Sequence, residues 1–118
     1  MAYDEGLAER LREVFSDRSD IEEKKMFGGI AFMLSGHMCV GINDTMLMAR
    51  VGPDQYETAL TRAHAREMDF TGRSMKGFIY VASEGISEDE DLRFWTDLCE
   101  QFVSSLPPKS PVYSNGAL

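Results

Sequence analysis

The chain has 118 residues, 43% of them hydrophobic and 27% charged, and a formal net charge of -8. That length bounds the fold to one domain around a single core, and no apolar run approaches the roughly 18 residues that a membrane span requires. The acidic balance argues against a stand-alone protein held to DNA by phosphate contacts.

The opening residues Met1-Ala2-Tyr3-Asp4-Glu5 are acidic. They lack the basic-then-apolar pattern of a signal peptide, so the expected location is the cytoplasm. Residues 4–18 read as an amphipathic helix, with Leu7, Leu11, Val14 and Phe15 at helical spacing and Glu9, Arg10, Arg12, Glu13 and Asp17 opposite. The polar stretch 16–20 ends it.

Residues 26–34 read as one long strand in which Ile30, Phe32 and Leu34 share a face and Met33 lies on the other. Adjacent glycines, Gly28 and Gly29, give up packing and cost backbone entropy, so a bend or bulge is expected there. Ser35-Gly36 is a turn signal leading to a strand over 38–42, and Asn43-Asp44 turns the chain into another over 46–51. Gly52-Pro53-Asp54 opens a helix expected to run to about Ala63, because Pro at the first helical position gives up no needed N–H. Residues 68–70 and 77–81 read as two further strands joined by a polar, glycine-bounded connection over 71–76. Ser87-Glu88-Asp89-Glu90 fits a capping box. The helix it opens carries Leu92, Trp95, Leu98, Cys99, Phe102, Val103 and Leu106 at core spacing, and Pro107-Pro108 stops it. Domain organisation is therefore one unit over 1–109 and an aperiodic, mobile tail over 110–118. The order α-β-β-β-α-β-β-α predicts an α+β fold with helices packed on an antiparallel sheet.

Few residues suggest chemistry. His37 and Cys39 share a strand face and offer two metal ligands, but a structural zinc site needs four and only His64 and Cys99 remain. Cys39 and Cys99 read as reduced core residues, and no metal or cofactor is expected. The carboxylates lie on helix exteriors without a pairing signature, and Gly72 to Gly77 lacks the Lys of a phosphate loop, since Phe78 follows. The basic residues Arg50, Arg62, Arg66, Arg73 and Lys76 outnumber the nearby Asp54, Glu57, Glu67 and Asp69. Within that stretch Gly72, Arg73, Lys76 and Gly77 form a candidate loop for an anion or a partner's acidic group, set against the alternative of a solvated turn. The eight methionines fill core gaps or line an adaptable surface. An apolar sheet face on the Met33 side, uncovered by a helix, would point to a partner, most simply a second copy of the chain in a homodimer.

Several segments together resemble the N-terminal domain of the TfoX/Sxy competence-regulator family. They are 25–33 (KMFGGIAFM), 36–39 (GHMC), 50–52 (RVG), 68–73 (MDFTGR), 75–78 (MKGF), 80–81 (YV) and 105–109 (SLPPK). The resemblance runs in order from about residue 8 to residue 109, and it implies an α+β domain of the secretion-chaperone-like type. It also implies a non-enzymatic protein-interaction module, a transcriptional accessory acting through other proteins, with no catalytic residue to carry over. Ser74 stands where the family commonly has Pro, which implies a less rigid connection there. The larger regulators continue into a separate C-terminal domain, so the resemblance implies the domain rather than the whole regulator's role. The alternatives are an anion- or small-ligand-binding domain, or an enzyme, using Arg73 and Lys76, and, least in keeping with the charge, direct DNA binding.

Overall fold

A computed structural model describes residues 3–26, 28–70 and 73–107, the side chains of 70, 73 and 74 excepted. Six strands form one sheet: β1 (Ile21–Met26), β2 (Gly29–Leu34), β3 (His37–Asn43), β4 (Met46–Arg50), β5 (Ala65–Phe70) and β6 (Arg73–Val81). Every neighbouring pair is antiparallel and the spatial order is β1-β2-β3-β4-β6-β5. Three helices, α1 (Glu5–Val14), α2 (Tyr56–Leu60) and α3 (Asp89–Ser104), accompany it. This is the α+β architecture expected, with one strand more than the sequence pattern shows. No helix among the described residues is long and apolar enough to cross a membrane.

The extra strand corrects the reading of the paired glycines. Residues 26–34 are not one bent strand; Met26 pairs with Gly29, and a two-residue connection separates β1 from β2. Gly28 has φ +75°, the left-handed region that glycine enters without a Cβ penalty. Gly29 serves a different need, because a Cβ there would lie 1.8 Å from the Ile42 carbonyl oxygen of β3. β1 escaped the pattern because Glu22-Glu23-Lys24-Lys25 shows no alternation. Such charge is what an edge strand carries to discourage pairing with another chain.

Two helix starts also differ from expectation. α2 is a single short helix preceded by a turn over 53–55, so Pro53 belongs to the turn and not to the first helical position. The Ser87 capping box does not form: Glu88 is the N-cap of α3 without a side-chain cap bond, and Ser87 Oγ lies 3.4 Å from the Glu84 carbonyl oxygen. Asp89, Glu90 and Asp91 in the first turn complement the helix dipole instead. At α1 the cap is real, with Asp4 Oδ1 accepting from the N–H groups of Gly6 (2.8 Å) and Leu7 (3.3 Å).

The sheet buries both faces. Ile30, Phe32, Leu34, Ile42, Leu47, Ala49, Ile79 and Val81 meet the buried residues of all three helices in the main core. Ala31, Met33, Met38, Met48, Met68 and Tyr80 form a second cluster on the other face, built from strand residues alone. Its members are at most 9% exposed, and the partly buried Met26, Met46, Met75 and Phe78 pack against them on the same face. Cys39 explains how neighbouring residues reach one core. Phe32 pairs with Val40 and Met33 with Met38, which leaves Cys39 as the extra residue of a bulge. Cys39 and Val40 consequently both enter the helix-side core while Met38 joins the methionine face.

Candidate functional site

The segment expected to be a connection over 71–76 is largely strand, because β6 begins at Arg73, which pairs with Phe70. Gly72 and residues 108–118, the mobile-tail expectation among them, lie outside the described residues. Within β6 the register slips sharply: Glu67 pairs with Ile79 and Asp69 with Ser74, so residues 75–78 bulge away from β5. Lys76 rides on that bulge and is exposed, and Gly77 turns the chain with φ +93°. Bulges commonly re-aim side chains beside functional sites.

On its other side the bulge meets the end of β4. The Gly77 carbonyl accepts two backbone N–H groups, from Val51 (2.9 Å) and Gly52 (3.1 Å). Gly52 has φ +87°, and a Cβ there would stand 2.4 Å from the Phe102 ring of α3. Both glycines are therefore required, one for its backbone conformation and the other for that and for close approach.

Arg50 sits at the centre of this corner. Its guanidinium carbon lies 5.3 Å from the centroid of the Phe78 ring and 5.6 Å from that of Phe102, within cation–π range of both. Its Nη1 donates to the Met38 carbonyl oxygen at 3.3 Å. The side chain is half-buried, and this loss of water holds its pKa below the ordinary arginine value. Among the described residues no carboxylate lies within ion-pair distance of Arg50 or Lys76. Arg10, Arg12 and Arg18, by contrast, each bind one or two. A cavity of about 80 Å³ opens between Arg50, Lys76, Gly52, Phe78 and Phe102, room for one small acidic group.

The remaining candidates part company. His37 Nε2, protonated, donates to the Pro107 carbonyl at 2.6 Å, which ties the start of β3 to the chain leaving α3. Cys39 and Cys99 are free thiols fully enclosed in the core. Burial pushes Cys39 up to about 12 and raises Cys99 well above its ordinary value, so neither supplies a thiolate nucleophile. Among the described residues no group of three or more His, Cys, Asp or Glu is placed to hold a metal ion.

Four segments thus converge on one corner: 36–39 through the Met38 carbonyl and His37, 50–52, 75–78, and 105–107 through Pro107. Sequence reasoning placed Lys76 and Gly77 in the candidate loop and counted Arg50 only among the surrounding basic residues, while Gly52 and Phe102 were given no part in the site. The available signal was the Gly52-Pro53 step directly after a basic strand end. No curated protein and no solved structure matches the chain. The family model for the TfoX N-terminal domain matches residues 13–103, most of the chain and three of the four converging segments, and the chain belongs to that family.

Proposed function

We propose that this chain is a non-enzymatic, cytoplasmic protein-interaction module whose partner inserts an acidic side chain between Arg50 and Lys76. The observation that carries the reading is the half-buried Arg50 guanidinium, fixed between two phenylalanine rings and lacking a carboxylate among the described residues. A desolvated cation left unpaired is costly, and an arriving carboxylate would relieve that cost and gain a charge-assisted bond. Family membership supports a role as a transcriptional accessory. The charge of -8 favours action through a protein over direct DNA contact.

The test is capture of partners by the tagged protein from nuclease-treated extract of its own organism, followed by rebinding of the purified partner. Arg50→Met with Lys76→Gln is expected to weaken rebinding at least about tenfold. Undiminished binding by that variant would contradict the proposal. Should the captured partner be a second copy of the chain, the module is a homodimer.

A second reading, a site for a free anion, is favoured by the size of the cavity beside Lys76. It keeps Lys76 and Gly77 from the predicted anion loop and substitutes Arg50 for Arg73. Titration with inorganic phosphate separates the two. Saturable binding that is lost in the Arg50 variant would support the free anion, and no binding at about 10 mM would leave the protein partner.

A further inference from the structure

A second cavity, sharing no lining residue with the one beside Arg50 and Lys76, opens where the chain leaves α2 and meets the start of α3. It measures about 390 Å³, within the roughly 300–1,000 Å³ of small-molecule sites. Arg62, His64, Glu84, Gly85, Asp91 and Trp95 line it.

Its rim is tightly constructed. His64 has φ +71°, an uncommon conformation for a residue with a Cβ, and its carbonyl accepts the Ala82 N–H at 2.9 Å. The turn that follows packs so closely that a Cβ on Gly85 would lie 2.8 Å from His64 Cβ and 2.9 Å from Val81 Cγ1. Strained backbone held by its surroundings recurs at ligand clamps.

Its charges are opposed without cancelling. Arg62 is held over the Phe94 ring, 3.8 Å from the centroid, and lies 5.9 Å from the Trp95 ring. Among the described residues Phe94 is the large apolar side chain left exposed, at 36%, and Arg62 covers part of it. Neither Glu84 nor Asp91 reaches ion-pair distance of Arg62 or His64 among the described residues. One fixed cation and two carboxylates thus border the same space. A ligand carrying both signs of charge on a small frame would satisfy both, whereas a phosphate compound would be repelled by the two acids.

We infer that the Arg62–Asp91 cavity binds a free α-amino acid or zwitterion of similar size, its carboxylate on Arg62, its ammonium between Glu84 and Asp91, and its side chain along the Trp95 edge. Arg62 already stacks on the Phe94 ring, which lowers the ordering cost when the ligand arrives. Asp91 and Arg62 are set to discriminate ligands that lack one of the two charges.

The test is ligand-observed NMR of the full chain with the free amino acids, each at about 10 mM, and calorimetry on the best binder. At least one is expected to bind with a millimolar or tighter dissociation constant. Its N-acetyl derivative and its decarboxylated amine should each bind at least about tenfold more weakly. Arg62→Gln should weaken the amino acid and leave the amine unchanged; Asp91→Asn should weaken it and leave the N-acetyl compound unchanged. Both positions are at the surface, and the fold of each variant is checked by its urea midpoint. No binding by any amino acid, or equal binding of the N-acetyl compound, would overturn the inference. So would variants that bind as the parent does. Arg50→Met should have no effect on this binding, which keeps the outcome separate from the partner site.

Discussion

Gly28 and Gly29 are neighbours that the structure requires for two unrelated reasons, and alanine at each position separates them. At Gly28 the φ of +75° is the difficulty, and nothing lies within 4 Å of the added Cβ. Alanine there incurs only the left-handed penalty of about 1–2 kcal/mol. At Gly29 the new Cβ would stand 1.8 Å from the Ile42 carbonyl oxygen, 3.0 Å from its carbon and 3.3 Å from Asn43 Cα. All three are backbone atoms of β3, so no side chain can rotate away. Relief requires prising β2 from β3 where Ile30 pairs with Ile42. That places Gly29→Ala at or above the upper end of overpacking, about 3 kcal/mol, a large share of the roughly 5–15 kcal/mol that holds such a domain folded. With a urea m-value of about 1.5 kcal/mol/M, the midpoint should fall by about 2 M for Gly29→Ala and by about 1 M for Gly28→Ala. Gly28→Asn should recover most of the loss, since Asn enters the left-handed region more easily. Equal midpoints for the two alanine variants, or a greater loss at Gly28, would refute the assignment.

Three further outcomes follow from local chemistry. Asp4→Ala should cost about 1 kcal/mol in urea denaturation, because it removes a cap made of two bonds, while Ser87→Ala should stay within about 0.5 kcal/mol because no capping box forms. Neither Cys39 nor Cys99 should react with an aromatic disulfide reagent near pH 8 in the native protein, and both should react in denaturant; prompt native labelling would contradict their enclosure. Hydrogen bonds from Arg18 hold Asp20 below its ordinary value of 3.8, and bonds from Arg12 hold Glu23 below 4.5. Their folded-state values are depressed, so their stabilisation is complete above the ordinary values and disappears as pH falls through the lowered ones. These surface pairs are screened, so the effect is small: Arg12→Gln/Arg18→Gln should lose less urea stability than the parent between about pH 6 and pH 3, and an equal loss would rule the pairs out as a source of acid sensitivity.

Much of the fold was legible because its elements follow local periods. The helical spacing of Leu7 and Leu11, and of Leu92, Trp95, Cys99 and Val103, marks faces that are buried as read. The alternation of Ile30, Phe32 and Leu34 against Met33 also assigns the two sheet faces correctly. β1 was hidden because its charges belong to an edge and carry no period. The first half of β6 was hidden because a polar run before glycine looks like a turn, while the pairing that makes it a strand comes from β5. The site was harder still. Arg50, Lys76 and Phe102 meet because β6 pairs with β4 and α3 returns across the end of the sheet, long-range events that no window of sequence displays.

The central claim is that a partner's carboxylate seats beside Lys76 and Arg50. Zero-length carbodiimide cross-linking tests it directly, because the reagent joins a lysine amine only to a carboxylate already in contact with it. The captured complex would be cross-linked and digested, and the linked peptides identified by mass spectrometry. The account predicts an amide between Lys76 and an Asp or Glu of the partner, absent when Arg50→Met replaces the parent chain. A complex that links through Lys24 or Lys25 on the edge strand and leaves Lys76 free, or a Lys76 link that persists in the Arg50 variant, would contradict it.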